Sequence, residues 1–584
     1  MCGISGFITS ENHNLTNSEI KNIVHVAQTT QSNRGPDNFG AYIDNKKNIC
    51  LFHNRLSLVD LSPKGNQPME KHGLKITFNG EIYNFREIRD ELVKKGYDFF
   101  STSDTEVILS AYDAWGENAL KKFNGAYAFA LHDSNKNLVL LARDKVGEKP
   151  LFYFKDKNGV FYFASSIKFL KEASKSSFSL NDERFISDLI FNFWSDKSAT
   201  HYSEINMLEP GCLLILDNNL KSTCKRYWDL PTMEIESSEN EILTNIEQII
   251  KDSIEIRASL DTKICSVLSG GIDSSFICAL AQKHLDYPLS TFTLEKFGYV
   301  DEDLASARKI SQEYGWKNNS VKIRKSDISE HKIIDVTKAM EEPILDQVYI
   351  YINRNYEEIH SQKLKAVLNG QGSDEIFLGY LDYYPFLKNQ SNYLDLLSFK
   401  EFWYDNFVLK DYIHKDIVLD SIEKNLRKNY TPYVSDDLLN NVLRFGVKTH
   451  MPALLIQEDK QSMAWSVECR TVYTDHRLVE YLSKIPSKIK YLDGKEKYLL
   501  RTVAKKYLPD YITNRKKLGF PNLPDGRDLL INQLISKERL PQSSELLNRL
   551  FFPTLFKNLE MLPLGMKWKL CAIATFEKQN LISA

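Results

Sequence analysis

The stretch LSGGIDSS, residues 268–275, joins an apolar strand pattern, KICSVLS (263–269), to a helical pattern, SFICALAQKH (275–284). Glycines at such a junction let the backbone approach an anion, and the N–H groups that open the helix attract negative charge. Asp273 would repel a bare phosphate, but a Mg²⁺ ion could bridge its carboxylate to one. The stretch is not a Walker A motif, because it has no GxxxxGK[ST] pattern. It predicts a phosphate-binding loop between a strand and a helix.

Apolar strand patterns and helical patterns alternate around this loop, which predicts a parallel sheet built by right-handed crossovers. After the LSGGIDSS strand, strands are predicted at 290–296, 319–323 and 364–370, with a helix at 302–315. A second loop, NGQGSDEIFLGY (369–380), follows the last of these strands. Ligands of open α/β sheets bind at the carboxyl ends of the strands. Asp273 and Asp374 are therefore expected to converge on one Mg²⁺–pyrophosphate.

The N-terminal part of the chain has a different rhythm, of short strands that outnumber helices. Helices are predicted near 18–31 and 85–96, and strands at 126–133, 137–144, 151–156 and 160–166. This pattern predicts layered sheets with helices outside them. The polar, acidic stretch PTMEIESSEN (231–240) is typical of a linker. We therefore expect one domain over 1–210, a linker over 211–240, a second domain over 241–525 and a helical tail over 526–584.

The composition indicates which partners and which cell compartment to expect. The 584 residues carry 75 basic and 77 acidic side chains, a net charge of −2 that gives no reason to expect a nucleic-acid partner. We find no apolar run of the ~18 residues that a membrane span needs and no signal-peptide core. The eight cysteines form no CxxC pair and are expected to be reduced. These features predict a cytoplasmic protein that binds neither nucleic acid nor membrane.

Ten motifs in a fixed order resemble the glutamine-hydrolysing asparagine synthetases, over residues 2 to about 525. They are MCGISGF (1–7), NRGPD (33–37), HNRLSLVD (53–60), FNGEIYN (78–84), SDTEVIL (103–109), ARDKVGEKPLFY (142–153), LSGGIDSS, GQGSDE (370–375), SMAWSVECR (462–470) and NRKKLGF (514–520). The resemblance implies an α+β sandwich of the N-terminal nucleophile type, followed by an α/β parallel-sheet domain of the PP-loop type with added helices.

Cys2 becomes the first residue once Met1 is removed, so its α-amine can serve as the base for its own thiol. By the resemblance, its thiolate attacks the side-chain amide of glutamine and releases ammonia. The resemblance also implies an oxyanion hole from Asn79 and the backbone N–H of Gly80, where each donor contributes ~3–4 kcal/mol. It further implies a glutamine site in which Arg55 holds the α-carboxylate and Glu81 and Asp104 hold the α-ammonium. The full set implied for glutamine is Arg55, Leu56, Ser57, Leu58, Val59, Asn79, Gly80, Glu81 and Asp104.

For the second domain, the resemblance implies that ATP activates the side-chain carboxylate of aspartate as an acyl-adenylate, from which ammonia displaces AMP. The implied cofactors are ATP and Mg²⁺, with Asp273 and Asp374 as metal ligands, and a homodimer is a possible assembly. Gln371 and Lys517 lie at positions with catalytic roles, and Arg470 and Glu468 are weaker candidates. The residues that match nucleotide contacts are Leu268, Ser269, Gly270, Gly271, Asp273, Ser274, Ser275, Leu294, Asn369, Gly370 and Lys497.

Three departures from the family pattern bear on the acceptor. Gln371 replaces the glutamate of the usual GEGxDE loop, and an amide cannot accept a proton. The run RTVYTDHR (470–477) replaces a more apolar one, and EEPILDQVYIYINRN (341–355) lacks the usual small residues. Aspartate stays the leading acceptor, and another carboxylate, such as a sugar acid or a specialised metabolite, is the alternative.

Two other kinds of protein are compatible with the same architecture. A β-lactam synthetase has the same architecture, but such relatives tend to lose the glutaminase residues, which are all present here. A non-catalytic scaffolding protein is supported only by Gln371 and is opposed by Cys2, Asp273 and Lys517. Glutamate release from glutamine would separate an enzyme from a scaffold.

Overall fold

Two antiparallel sheets form the N-terminal half. The structure is a computed structural model that describes residues 2–10, 15–44, 48–192, 195–196, 198–295, 302–379, 396–492, 494–516, 527–536 and 541–582. The strands of this half are β1 (Gly3–Ile8), β2 (Asn38–Asp44), β3 (Ile49–Arg55), β4 (Met69–Lys71), β5 (Leu74–Ile82), β6 (Gly125–Asp133), β7 (Leu138–Arg143), β8 (Phe152–Lys155), β9 (Phe161–Ala164), β10 (Asn206–Met207), β11 (Cys212–Leu216) and β12 (Ser222–Arg226). Their order is β10-β8-β9-β1-β3-β2 in one sheet and β12-β11-β7-β6-β5-β4 in the other.

The two sheets pack face to face and helices cover their outer faces, as the sequence predicts. Ile4 and Leu51 of the first sheet share a buried core with Ala128 and Leu141 of the second. The outer layers contain the helices Asn17–Thr30, Phe85–Lys94, Asp104–Trp115, Ala119–Lys122, Ile167–Ser174 and Asp182–Phe191. The first of these begins with a capping box, in which Thr16 Oγ1 accepts from the backbone N–H of Glu19. The layered α+β sandwich is thus confirmed.

The predicted linker over 211–240 is wrong in its first half. The apolar strand β11 pairs with β7, and the polar strand β12 pairs with β11 at the sheet edge. The five residues of β12 are all exposed, as suits an edge strand, and this polarity hid the strand from sequence inspection. The stretch from 227 to 238 then leads to the helix Glu239–Ala258, which Ser238 caps.

The C-terminal half is built on a parallel sheet, as predicted. Its strands are β13 (Ile264–Val267), β14 (Ser290–Glu295), β15 (Lys317–Lys322), β16 (Ala366–Asn369) and β17 (Glu468–Thr471), in the order β15-β14-β13-β16-β17. The strand order reverses between β13 and β16, and a crevice at such a switch point binds ligands. The two predicted loops follow these two strands. Sequence inspection missed β17, placing its residues between helices.

Helices surround this sheet and continue to the end of the chain. They are Glu239–Ala258, Ile272–Ala281, Glu302–Tyr314, Glu330–Met340, Val348–Ser361, Ser373–Phe377, Leu396–Asp405, Lys415–Asn429, Leu438–Lys448, His450–Met463, His476–Lys484, Ser487–Lys490, Tyr498–Ala504, Asp510–Thr513, Arg527–Ser536, Glu545–Leu550, Thr554–Lys557 and Leu564–Ile582. The last helix packs on the N-terminal half, where Phe576 lies 6.1 Å from Phe185 between ring centroids. Within the described ranges, no helix is long and apolar enough to cross a membrane.

Candidate active sites

Cys2 lies immediately before β1 and is buried. The backbone N–H of Cys2 donates to Asn79 Oδ1 at 2.9 Å, and Cys2 Sγ lies 4.0 Å from the carbonyl oxygen of Leu56. Burial raises the pKa of the Cys2 thiol. A thiol in this environment needs a nearby base to become a nucleophile, and the base predicted for it is its own α-amine.

Asn79, which accepts from Cys2 N–H, and the adjacent Gly80 are the two residues predicted to form the oxyanion hole. The side chain of Asn79 is fully buried, and among the described residues its Nδ2 has no hydrogen-bond partner. A buried donor without a partner costs about 1–3 kcal/mol, and a developing oxyanion would satisfy it. Gly80 has a φ of +139°, and a Cβ there would lie 2.0 Å from the carbonyl oxygen of Ala126, so only glycine fits. The structure thus brings Cys2, Asn79 and Gly80 together.

The loop after β3 holds the predicted glutamine carboxylate site. Arg55 Nη1 donates to Asn66 Oδ1 at 2.7 Å and to the carbonyl of Ser62 at 3.0 Å, and Arg55 Nη2 donates to the carbonyl of Asp60. No acidic side chain in the described part of the chain forms an ion pair with Arg55, so its charge is available to a carboxylate. Leu56 and Leu58 are buried against the C-terminal half, Val59 is half-buried, and Ser57 N–H donates to Asp37 at 2.7 Å.

An acidic cluster lies at the predicted ammonium site. Asp104 begins its helix and accepts from the backbone N–H of Ile82 at 2.9 Å, and burial raises its pKa to about 6. Burial and the neighbouring Asp104 raise the pKa of Glu81 well above its usual value, although Arg470 opposes this. Glu81 pairs with Arg470 at 2.9 Å, whereas Asp104 has no ion pair within the described ranges. The cluster therefore has excess negative charge, which an α-ammonium would neutralise.

Arg470 and Glu468, the two weaker candidates, connect the halves from β17. Arg470 is fully buried and binds Glu468 at 2.6 Å in addition to Glu81, while its Nη1 donates to the carbonyl of Arg257 at 2.8 Å. Burial opposes ionisation of Glu468, but neighbouring positive charge, including that of Arg470, outweighs it and lowers the pKa of Glu468 to about 2. These two residues therefore contribute to the charge balance of the predicted glutamine site, a role that the sequence did not indicate.

The loop 268–275 has the predicted strand–turn–helix form. Gly270 has a φ of +72°, and a Cβ there would meet the carbonyl oxygen of Asp303 at 2.4 Å, which explains the glycine. Ser274 Oγ accepts from the backbone N–H of Ser269 at 3.0 Å and holds the turn. Gly271 precedes the helix, in which Ser275 is buried. Leu268 is fully buried below the loop, and Leu294 is half-buried on the neighbouring β14.

Asp273 and Asp374 converge as the sequence predicts, and Lys497 lies between them. Lys497 Nζ is 2.7 Å from each Asp273 oxygen and 2.6 Å from Asp374 Oδ1. Two carboxylates that share a cation fit Mg²⁺, which takes one or two carboxylates plus phosphate oxygens from its substrate. A Cβ built at Gly370 would lie 3.4 Å from Asp273 Cβ, so the two loops are in contact. Asp273 and Asp374 would hold such a metal, which would neutralise phosphate charge.

The second loop also contacts a buried carboxylate that sequence inspection missed. Asn369 Oδ1 accepts from the backbone N–H of Gln371 at 3.1 Å, and Asn369 Nδ2 donates to Glu458 at 2.7 Å. Glu458 lies on the helix His450–Met463, where nearly every side chain is buried. Without an amphipathic pattern, sequence alone could not tell which polar residue of this helix faces the loop.

Comparison with known proteins identifies the family. A glutamine amidotransferase domain model matches residues 1–228, and an asparagine synthase model matches residues 245–578. The chain belongs to the asparagine synthase family. The glutamine-hydrolyzing asparagine synthetase 1 of Bacillus subtilis is 30% identical, over 89% of this chain and 87% of that protein. The amidase chry2 of Gibberella zeae is 26% identical, over 89% of this chain and 88% of that protein.

The two domain models together place the chain among the glutamine-dependent amidotransferases. The domain models also agree with the revised N-terminal boundary, since the first runs to residue 228 and so includes β11 and β12. Lys517, predicted to be catalytic, lies outside the described residues. The neighbouring Arg515 is described, and its Nη1 donates to the carbonyl of Gly270 at 3.0 Å.

Proposed function

We propose that this asparagine synthase family member makes an amide with ammonia from glutamine and energy from ATP. The most direct form is L-aspartate + L-glutamine + ATP + H₂O to L-asparagine + L-glutamate + AMP + diphosphate. The observation that supports the proposal is that one chain contains two preorganised sites, one at Cys2 and one at the crevice between β13 and β16. Asn79 accepts from Cys2 N–H and is buried with a side-chain Nδ2 that has no partner among the described residues, and Asp273, Asp374 and Lys497 converge at the sheet's switch point.

The glutaminase step uses groups of the first site. The Cys2 sulfur attacks the amide carbon of glutamine, the α-amine takes the thiol proton, and the tetrahedral oxyanion receives hydrogen bonds from Asn79 Nδ2 and the backbone of Gly80. Ammonia leaves with that proton's help, and water hydrolyses the thioester to glutamate. Arg55 and Asp104 bind the two charged ends of the substrate and align its amide with the sulfur.

The synthetase step uses the crevice between β13 and β16. The loop 268–275 binds the phosphates of ATP, and Lys497 balances charge that develops as pyrophosphate leaves. Asp273 and Asp374 would hold Mg²⁺, which when bound would supply electrostatic stabilisation of the phosphates. The acceptor's carboxylate oxygen attacks the α-phosphorus, and ammonia then replaces AMP at the acyl carbon.

A second candidate is the same reaction on another carboxylate. Gln371 favours it, since the loop next to the crevice lacks the usual glutamate. The amidases chry2 of Gibberella zeae and chyE of Penicillium rubens, at 26% and 27% identity, show that relatives of this chain carry other names than asparagine synthetase.

Pyrophosphate release from ATP and Mg²⁺ tests both candidates, with a panel of carboxylic acids and either glutamine or ammonium as nitrogen source. Release stimulated by aspartate, with asparagine as the product, supports the first. Release only with another acid supports the second. If no acid stimulates release while glutamine is hydrolysed, the proposed synthetase reaction is wrong.

A further inference from the structure

Gln371 leaves the proposed amide synthesis without a proton acceptor at this position. The inference drawn here rests on that proposed reaction. When ammonia adds to an acyl carbon, the nitrogen becomes positively charged and must lose a proton before the amide can form. A carboxylate near the acyl group can accept that proton. Gln371 cannot, because its side-chain amide has no basic site at neutral pH. A proton acceptor must therefore come from elsewhere.

Glu458 is placed next to this gap. Its Oε1 accepts from Asn369 Nδ2 at 2.7 Å, its Oε2 accepts from the hydroxyl of Tyr356 at 3.0 Å, and the Gln371 side chain also donates to it. Its side chain is 4% exposed. It forms no ion pair among the described residues, so its charge is stabilised by neutral donors alone. Burying a carboxylate without a cation costs free energy of folding, so packing alone does not explain a glutamate at this position.

The position of Glu458 also suits ammonia arriving from the Cys2 site. The next residue on the helix, Asp459, pairs with Arg34 Nη1 at 2.8 Å, and Arg34 Nε donates to the carbonyl of Cys2 at 3.1 Å. The helix His450–Met463 thus contacts the glutaminase site through Asp459 and the loop 369–371 through Glu458. A molecule that passes from Cys2 toward the crevice beside β16 meets this helix.

We propose that Glu458 is a catalytic residue that supplies the carboxylate missing at position 371 and accepts the proton of ammonia. The nitrogen–carbon bond forms and the carbon–oxygen bond to AMP breaks. One proton moves from nitrogen to a Glu458 oxygen, and AMP leaves with the electron pair. Glu458 later returns the proton to solvent, so nothing is oxidised or reduced.

The titration of Glu458 is consistent with this role. Burial raises its pKa to about 6, although the hydrogen bonds from Tyr356, Asn369 and Gln371 favour the ionised form. A base with a pKa just below neutrality is ionised at pH 7 and still accepts a proton readily. The other titratable groups that face it are the Tyr356 phenol and the Cys469 thiol of β17, both neutral at this pH because burial raises their pKa.

The test uses the full chain with ATP, Mg²⁺, external ammonium and the acid that the wild type accepts, across pH 5–9, with rates normalised to unprotonated ammonia. Glu458→Gln should lose about 10²–10⁴-fold in amide formation, the usual contribution of a general base. Its burst of pyrophosphate in the first turnover and its glutaminase rate should stay near wild type, because neither step needs the proton transfer, and the glutaminase rate also reports folding. Its steady-state release of pyrophosphate should fall with amide formation, since each acyl-adenylate must be consumed before the next one forms. Glu577→Gln, another buried glutamate, which accepts from Leu546 N–H at 2.8 Å, is the matched control and should leave all rates unchanged.

Two further variants separate chemistry from packing. Tyr356→Phe removes a hydrogen bond to the ionised form, so the acid limb of the wild-type pH profile, expected near pH 6, should move to higher pH. Gln371→Glu in the Glu458→Gln background should restore at least about tenfold, since it returns a carboxylate to the loop.

The outcomes distinguish this inference from the proposed function. If the wild type forms no amide from any acid, both are overturned. If the wild type forms an amide and Glu458→Gln keeps its rate and acid limb, only the role of Glu458 is overturned. A loss of the first-turnover pyrophosphate burst in Glu458→Gln as large as its loss of amide formation would also overturn it, because it would indicate a structural role.

Discussion

Replacing Arg470 by methionine removes the cation that joins the two halves of the protein. Arg470 is fully buried and pairs with Glu468 and Glu81 at 2.6 and 2.9 Å. Methionine fills a similar volume but leaves two carboxylates in a buried site. Breaking a buried pair from one side costs about 3–5 kcal/mol.

The pKa of Glu468 gives an independent magnitude. The pKa of Glu468 is lowered from the usual 4.5 to about 2, against the effect of burial, by neighbouring positive charge that includes Arg470. A depression of this size corresponds to roughly 3 kcal/mol of stability, of which Arg470 supplies a part. Glu81 contributes less, since its pKa is already raised and it protonates more easily. We therefore expect Arg470→Met to lower the free energy of unfolding by about 3–4 kcal/mol at pH 8.

The pH dependence follows from the sign of each shift. In the wild type the Glu468 contribution is present above the unfolded pKa of 4.5 and is lost as the pH falls toward 2. In Arg470→Met the unpaired carboxylates bind protons more readily, so the deficit is largest at pH 8 and shrinks to about half or less at pH 5.

Urea unfolding at pH 8 and pH 5 measures both effects. Arg427→Met is the matched control, because Arg427 pairs with Glu423 at 2.7 Å on an exposed helix face and should cost below about 1 kcal/mol. A deficit in Arg470→Met that is equal to the control, or one that grows as the pH falls, would refute the reasoning about the buried cluster.

Three other predictions concern the two active sites. Asn79→Asp keeps the acceptor for Cys2 N–H but loses the Nδ2 donor, so the glutaminase kcat should fall about 10²–10³-fold while synthesis from external ammonium persists; a loss below threefold would contradict the oxyanion role. Because the ammonium of glutamine favours ionised Asp104, whose pKa is about 6, the glutaminase KM for glutamine should rise roughly tenfold between pH 7 and pH 5, and Asp104→Asn should flatten that profile at a high KM. Lys497→Met should abolish carboxylate-dependent pyrophosphate release yet leave glutaminase activity intact, whereas equal loss of both would point to misfolding.

Most of the local chemistry could be predicted from the sequence, because it depends on residues that are close in the chain. The strand–loop–helix around LSGGIDSS, the parallel sheet and the layered N-terminal sandwich all follow from short-range periodicity. The prediction missed two strands whose local sequence pattern does not show that they belong to a sheet. The polar β12 has no apolar face to mark it, and β17 is too short to be distinguished from the end of the preceding helix.

By itself, the sequence determined which reactive groups exist and on which local elements they lie. These include the thiol at position 2 and the glycine loops at the ends of two strands. The tertiary structure alone decided which distant charges meet. Arg470 reaches Glu81 across 389 positions of the chain, and Glu458 reaches Asn369 across 89. The physical reason is that pairing of buried charges depends on the packing of whole elements, whereas local periodicity records only which face of an element is buried.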